Sequence, residues 1–400
     1  MKRVLFGAEA RVLFALVALI AFGALRYDNF LGSYNVLTVL RYNSMFALIS
    51  LGQAFVIMNA GIDLSVGATA ACASVVAALL SPYGLAAGLA GGVGAGLVVG
   101  LVNAFMVAKM KLLPFIATLA GMLMASGTGL LLAHNQSVSV SYDTDFTWLG
   151  QGDLFGFPAP AWIAAAAYVY GSATLNFTAF GRRVLAVGGN EEAARLMGLP
   201  VERVQFWAYV QSGVCAGVAG VILAAQFGAG QPAEGVGWEL FSIAAVVVGG
   251  TLLTGGMGSV GTTLIGVLLL GLIFNVLNFE NGLGWISLSA YWQSVVRGLF
   301  LMVVVMAGAG VGEWMGTGAP TEAPADQRLD DGFSRCFDSA ALTEPLEILG
   351  APEFEVELSA DQPVAQIAVR LCDVSPDGAS RRVSYGVLNL THRDRHAEPR

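Results

Sequence analysis

Residues 299–332 read LFLMVVVMAGAGVGEWMGTGAPTEAPADQRLDDG. The stretch begins as continuous apolar sequence and ends as an acidic run rich in Pro, Gly and Ala. The seam, near residue 320, divides the chain into two physical objects. Of the 20 Lys and Arg, 12 lie in 1–319 and 8 in 320–400; of the 28 Asp and Glu, 13 lie before the seam and 15 after it. The first part is close to neutral and the second is acidic. One is built for lipid, the other for water.

Working back from the seam, the chain is 56% hydrophobic and 12% charged, against about 25% charged in a soluble domain. Apolar runs of about 20 residues are what a hydrocarbon core demands. Ten windows qualify: 11–26, 37–60, 64–80, 85–108, 112–133, 160–179, 205–226, 239–254, 259–278 and 288–310. The 51 glycines fit this reading, because small residues let membrane helices approach closely. Windows 64–80 and 239–254 are short or interrupted by Gly, and read as broken or re-entrant helices. The opening, MKRVLFGAEARVLFALVALIAFGAL, has a basic start and an apolar run. It is read as a first span rather than a cleaved signal, since more membrane sequence follows.

Charge sets a direction. With ten crossings starting inside, the inner pieces hold Lys2, Arg3, Arg11, Lys109, Lys111, Arg182, Arg183, Arg195 and Arg203, and the outer loops hold Arg26 alone. This asymmetry places both termini in the cytoplasm. Arg41 and Arg297 fall near outer span ends. The outer loops are acidic, with Asp28, Asp143, Asp145, Asp153, Glu234, Glu239 and Glu280. Tyr142, Trp148, Trp162 and Trp238 are expected at the outer interface. The outer loop 134–159 has alternating stretches that suit a short hairpin.

The tail has a period of two. Phe354, Val356 and Leu358 alternate with glutamates, and Ile367, Val369, Leu371 and Val383, Tyr385, Val387 repeat the pattern. Ser375-Pro376-Asp377-Gly378 is a turn signal. The expected fold class is an α-helical polytopic membrane protein of about ten spans with a short all-β C-terminal fragment. The expected divisions are 1–314 (membrane domain), 315–337 (linker) and 338–400 (partial β-sandwich).

Two motifs stand out. In Ala60–Gly67 (AGIDLSVG), Asp63 sits between two apolar runs. A carboxylate there must cap a helix, pair or face water. Either Asp63 or Ser65 caps the next span, or Asp63 belongs to a transport path; Gly61 and Gly67 frame the motif. The inner loop 180–204 reads as a turn at Gly188-Gly189, then a short helix opening at Asn190. Glu191 and Glu192 suit its positive end, Ala193, Ala194 and Met197 line one face, and Gly198-Leu199-Pro200 stops it. Such a helix outside the membrane body suits a protein partner.

Some chemistry is absent from the sequence. There is no Walker A loop, no GxSxG nucleophile elbow and no buried relay of acids and histidines. The four cysteines, Cys72, Cys215, Cys336 and Cys372, are far apart and read as inert thiols. No catalytic residue, metal, cofactor or nucleic-acid partner is expected. A multi-span body without an internal energy source borrows one, or works as a self-contained secondary transporter or channel with an appended binding module.

Residues 10–312 resemble the permease subunits of bacterial ABC sugar importers of the ribose, xylose and galactofuranose group. The resemblance rests on AGIDLSVG (60–67), LPFIATLAGM (113–122), AVGGNEEAARLMGL (186–199) and GVGWELFSIAAVVVGGTLLTGGMGSVGTTLIGVLLLGLI (235–273). Residues 276–302 look most like the galactofuranose branch. The resemblance implies a multi-pass inner-membrane subunit importing a monosaccharide, pentose or galactofuranose-like. It implies a second permease copy or paralogue, a separate ATPase subunit and a periplasmic sugar-binding protein. The coupling segment then maps to Ala186, Gly188, Gly189, Asn190, Ala193, Ala194 and Gly198. Two positions depart from the pattern. Ala60 stands where the family usually has a second glycine, and Phe241-Ser242 where it usually has Asp-Ala. The tail, 338–400, resembles the first half of the C-terminal β-sandwich of CocE/NonD (X-Pro dipeptidyl-peptidase type) hydrolases, without the hydrolase domain. A rearranged or misjoined gene is the expected origin, and no hydrolase activity is expected.

Overall fold

The computed structural model describes residues 8–283, 295, 298–299, 366–374 and 380–389. The chain divides into two compact units, 1–192 with 199–308, and 193–198 with 309–400.

The first unit is helical. Its long helices are α1 (Ala8–Arg26), α2 (Ser33–Met58), α3 (Val66–Leu80), α4 (Leu85–Ala104) and α5 (Pro114–Leu132). After the short α6 (Trp148–Gln151) come α7 (Ala159–Phe177), α8 (Ala179–Gly189), α9 (Glu191–Leu196), α10 (Val201–Phe227), α11 (Trp238–Val248) and α12 (Val260–Leu283). Nine of the ten apolar windows hold a helix; the tenth, 288–310, with Arg297, lies outside the described residues apart from isolated helical positions. Five helical stretches are long and apolar enough to cross a membrane, Val66–Tyr83, Leu85–Lys109, Pro114–Leu132, Val201–Phe227 and Val260–Asn281. The chain is an α-helical polytopic membrane protein.

The helix ends follow local chemistry. Pro114 opens α5, where its missing N–H costs nothing. Thr178 Oγ1 accepts from Gly181 N–H at 3.2 Å and caps α8. Gly228, with φ +69°, ends α10 in the left-handed conformation. At the end of α4 the backbone widens into a π-helical turn, Phe105–Lys109. Lys109 Nζ there lies 3.0 Å from Glu202 at the start of α10.

α10 is the hub, packing on α2, α3 and α4. Gly88, Gly92, Gly96 and Gly100 recur every four residues along α4 and are buried, so they form one face. A Cβ added at Gly213 of α10 would stand 2.6 Å from Gly100 Cα, and one at Gly96 would strike the Gly213 carbonyl. Close approach gathers dispersion contacts where lipid supplies no hydrophobic drive.

The loop between α5 and α7 holds a minimal hairpin, β2 (Asp153–Leu154) against β3 (Phe157–Pro158). Its other strand, β1 (Val138–Ser139), pairs instead with β4 (Ala229–Gly230), beyond α10. Sequence alternation finds the hairpin and misses the distant pairing. Asp153 is bound to Arg41 at 2.8 Å, and Glu280 accepts from the Tyr27 hydroxyl at 2.7 Å.

Within the second unit, β5 (Gln366–Val374) and β6 (Ser380–Asn389) form an antiparallel pair, with Ile367 opposite Leu388 and an irregularity at Leu371/Cys372. The expected strand at 353–359 and the turn at 375–378 lie outside the described residues.

Candidate functional site

Two crossings are broken. α3 has 15 residues, prolonged by a 3-10 turn over Ser81–Tyr83 to a stretch just long enough to cross, and α11 has 11, about 22 and 16 Å of α-helix, against a hydrocarbon core of about 30 Å. Each is extended by non-helical backbone, residues 59–65 before α3 and 228–237 before α11. Backbone of that kind at membrane depth must find partners inside the protein.

Residues 59–65 are held from every side. Ala60 turns the chain with φ +59°, and Gly61 N–H donates back to the Val56 carbonyl at 2.9 Å. The chain then runs back along α2 as far as Gln53. In the amide orientation that satisfies both groups, Gln53 donates to the Asp63 carbonyl at 3.0 Å and accepts from its N–H at 3.3 Å. Thr118 of α5 accepts from Leu64 N–H at 3.1 Å. Asp63 is 1% exposed. Its Oδ1 accepts from Ser65 N–H at 2.9 Å and Ser65 Oγ at 2.7 Å, and its Oδ2 accepts from Ser212 Oγ at 2.8 Å. Asn103 Nδ2 adds a bond to Ser65 Oγ at 2.8 Å. Tyr209 packs its ring and hydroxyl over Gly61.

This geometry refines the capping expectation. Ser65 is the N-cap of α3 but makes no capping bond with its own side chain. Asp63 instead holds the N–H of the cap residue and ties it to α10. Ser212 is the twelfth residue of the 27 in α10, about 17 Å along that helix. The carboxylate therefore sits near mid-length, fully bonded and enclosed by protein.

The two half-helices meet at their N-terminal ends. A Cβ on Gly67 would strike the Gly235 carbonyl and lie 3.1 Å from Glu239 Oε2. Gly235 has φ +85°, and Glu239 Oε1 accepts from Gly237 N–H at 3.2 Å. Trp238 and Glu239 form the first turn of α11 and are half-buried. Trp238 packs on Phe46 at 4.9 Å. The 228–237 segment enters beside α3, where Gln231 N–H donates to Ser74 Oγ at 2.9 Å.

The expected turn at Gly188-Gly189 is not a turn. Both glycines are the last residues of α8. Their smallness serves contact: a Cβ on Gly188 would overlap the Met58 carbonyl and lie 2.8 Å from Gly256 N. The turn belongs to the facing strand of chain, Gly255 (φ +86°) and Gly256 (φ +77°). Gly256 N–H donates to the Met58 carbonyl at 2.9 Å. Asn190 follows in extended conformation (φ −161°, ψ 105°) and precedes α9. Gly198 stops the helix with φ +77°. Ala193, Ala194 and Met197 do not share one environment: Ala194 is buried, Ala193 half-buried and Met197 exposed. Ala186 lies half-buried in α8, and its carbonyl accepts from Asn190 N–H at 3.3 Å.

Sequence reading missed Gln53, Asn103, Thr118, Tyr209 and Ser212. Their signal is a polar group inside an apolar window, but nothing local says that four windows aim such groups at one motif. Among the described residues no cluster of His, Cys, Asp or Glu suits a metal ion. Cys72 and Cys215 are buried free thiols.

A bundle of apolar helices in which two short helices meet at their N-terminal ends, one of them anchored by a fully bonded Asp63, suits a polytopic membrane protein. The chain belongs to the family described as branched-chain amino acid transport system / permease component, whose profile matches residues 35–305. The X-Pro dipeptidyl-peptidase C-terminal non-catalytic domain matches residues 283–400. The L-arabinose transport system permease protein AraH of Escherichia coli K12 is 40% identical over 269 residues, 66% of this chain and 79% of the relative. The ribose import permease protein RbsC of Bacillus subtilis 168 is 40% identical over 281 residues, 70% and 85%. RbsC of Haemophilus influenzae Rd is 35% identical over 307 residues, 76% and 93%. No solved structure matches.

Proposed function

We propose that this chain is the membrane subunit of an ATP-driven importer that moves a monosaccharide, pentose or galactofuranose-like, into the cytoplasm. The observation that carries the reading is the likeness to named ribose and arabinose permeases over most of their own length. In this reading the body crosses the inner membrane about ten times, with both termini cytoplasmic. It pairs with a second copy or paralogue and receives sugar from a periplasmic binding protein. The membrane domain ends near 314, and the tail from 338 is a separate β fragment.

Hydrolysis of ATP belongs to a partner subunit that engages the 186–198 segment. Support comes from its build: a six-residue helix with Glu191 and Glu192 first and Arg195 last, with Leu196 63% exposed. The AGIDLSVG segment is a scaffold for the start of α3 in this reading, since every Asp63 oxygen is engaged by protein donors.

The test is reconstitution in proteoliposomes with an ATPase subunit and a periplasmic sugar-binding protein of a ribose or arabinose importer from the same source, using labelled L-arabinose and D-ribose as probes. Uptake that needs ATP and the ATPase supports the reading. Uptake driven by an ion gradient in the chain alone overturns it in favour of a secondary transporter.

A further inference from the structure

Three segments far apart in sequence meet in one glycine-lined joint. Met58 ends α2, Gly188 ends α8, and Gly255-Gly256 turn between α11 and α12. The Met58 carbonyl accepts from Gly256 N–H at 2.9 Å, and the Gly188 backbone leaves no room for a Cβ against either. A Cβ on Gly255 would lie 2.8 Å from both the Gly188 carbonyl and Ala60 Cβ, and one on Gly256 would lie 2.6 Å from Gly189 Cα. The contact is backbone on backbone, so it has little slack.

Two arms leave this joint and converge again. One runs from Met58 through Ala60 and Gly61 to Asp63, which fixes the start of α3. The other runs from the 255–256 turn back through Thr251 to α11, since Gly249 N–H bonds Ala245 and Leu252 N–H bonds the Met257 carbonyl at 3.3 Å. The far ends touch at Gly67 against Gly235 and Glu239. The ring is closed: joint, α3 start, α11 start, α11, joint. A displacement of Gly188 cannot be absorbed at the joint, so it moves both half-helix starts.

We propose that Gly255 and Gly256 are positioning residues for transport. They receive the movement of the coupling segment through Gly188 and pass it to the junction of Gly67 with Gly235 and Glu239, which opens and closes. The inference rests on the importer reading. It assigns a role to a turn outside the 186–198 segment, and it locates the moving junction at the facing ends of α3 and α11.

The experiment uses the full chain assembled with its ATPase and binding protein. Gly256→Ala places a Cβ against Gly189 at a positive φ; Gly261→Ala, on the same side of the turn and outside the coupling segment, is the control, because its nearest neighbour is Ser259 Oγ at an ordinary 3.8 Å. The expected result for Gly256→Ala is a normal amount of bound ATPase with ATP hydrolysis retained. Uptake of L-arabinose or D-ribose falls about tenfold or more, about 1.4 kcal/mol on the limiting barrier. Gly261→Ala keeps both. A second readout does not depend on uptake. Val236, beside the junction, is 88% exposed. With Cys336 and Cys372 changed to Ser, Val236→Cys is labelled by a thiol reagent with and without trapped nucleotide. The labelling rate changes with nucleotide in the parent and stays fixed in Gly256→Ala. If Gly256→Ala transports as the parent does, or if its labelling still responds, the inference fails. If it loses the ATPase along with uptake, Gly256 belongs to docking or folding and the inference fails. An unaltered chain that shows no ATP-dependent uptake overturns the importer reading itself.

Discussion

Asp63→Ala separates a scaffold from a transport path. The carboxylate accepts three hydrogen bonds, from Ser65 N–H, Ser65 Oγ and Ser212 Oγ. Asn103 Nδ2 donates to Ser65 Oγ and cannot accept its proton, so the substitution orphans three buried donors, the Ser65 N–H, the Ser65 hydroxyl and the Ser212 hydroxyl. Each costs about 1–3 kcal/mol, giving a loss of about 3–9 kcal/mol. Asp63→Asn keeps the shape and one carbonyl oxygen for Ser65 N–H, while Ser212 can rotate to accept from the new amide. Its cost is then about one lost charge-assisted bond, about 1–2 kcal/mol. Ser212→Ala removes the donor as well as its bond, and its effect should not add to that of Asp63→Ala, because the two share one interaction. The assay is the thermal unfolding midpoint of purified protein in detergent, with sugar uptake measured on the same preparations. The scaffold reading predicts the order parent, Asp63→Asn, Asp63→Ala in both stability and uptake. An Asp63→Asn protein that melts like the parent yet carries no sugar would refute it and place the carboxylate in the path.

Ala60 occupies the left-handed region at φ +59°, which costs an alanine about 1–2 kcal/mol; Ala60→Gly should raise the unfolding midpoint, less the entropy that glycine restores to the unfolded chain. Gly213→Val should abolish correct insertion or folding, since even a Cβ there meets Gly100 Cα at 2.6 Å; protease resistance of the membrane-extracted protein reports it. Arg41→Ala removes a surface ion pair with Asp153 at 2.8 Å and should change stability by no more than about 1 kcal/mol, read from the same melts. Ending the chain after Gly318 should leave uptake intact, because the match covering 93% of Haemophilus RbsC uses only 307 residues; a truncated protein that inserts normally but does not transport would show the tail to be functional.

The fold was legible wherever one local rule acts alone. Apolar length found the helices, and the short windows at 64–80 and 239–254 found the two broken crossings. Glycine misled where two rules compete. Gly188-Gly189 reads as a turn because glycine permits one, yet these residues stay helical and are small so that Met58 and Gly256 can approach. Gly255-Gly256 is the true turn, in the gap between windows 239–254 and 259–278. Ala60 shows the converse, a non-glycine residue holding a positive φ that no propensity would assign. The Asp63 site was legible as a motif and illegible as a place. Gln53, Asn103, Thr118 and Ser212 come from four helices, and only tertiary packing brings their side chains to one carboxylate and its neighbouring backbone.

Four of the polar side chains share one use. Gln53 satisfies the N–H and carbonyl of Asp63. Thr118 accepts from Leu64 N–H, Ser74 from Gln231 N–H and Ser81 from Ser141 N–H. Each bonds backbone that lies outside a helix. A break in a membrane helix leaves main-chain groups that lipid cannot satisfy, and a neighbouring helix supplies a short polar side chain at that depth. These four side chains therefore mark places where the chain departs from regular α-helix. A residue that contacts the passing sugar must keep polar atoms open, and Asp63, engaged on both oxygens and 1% exposed, does not.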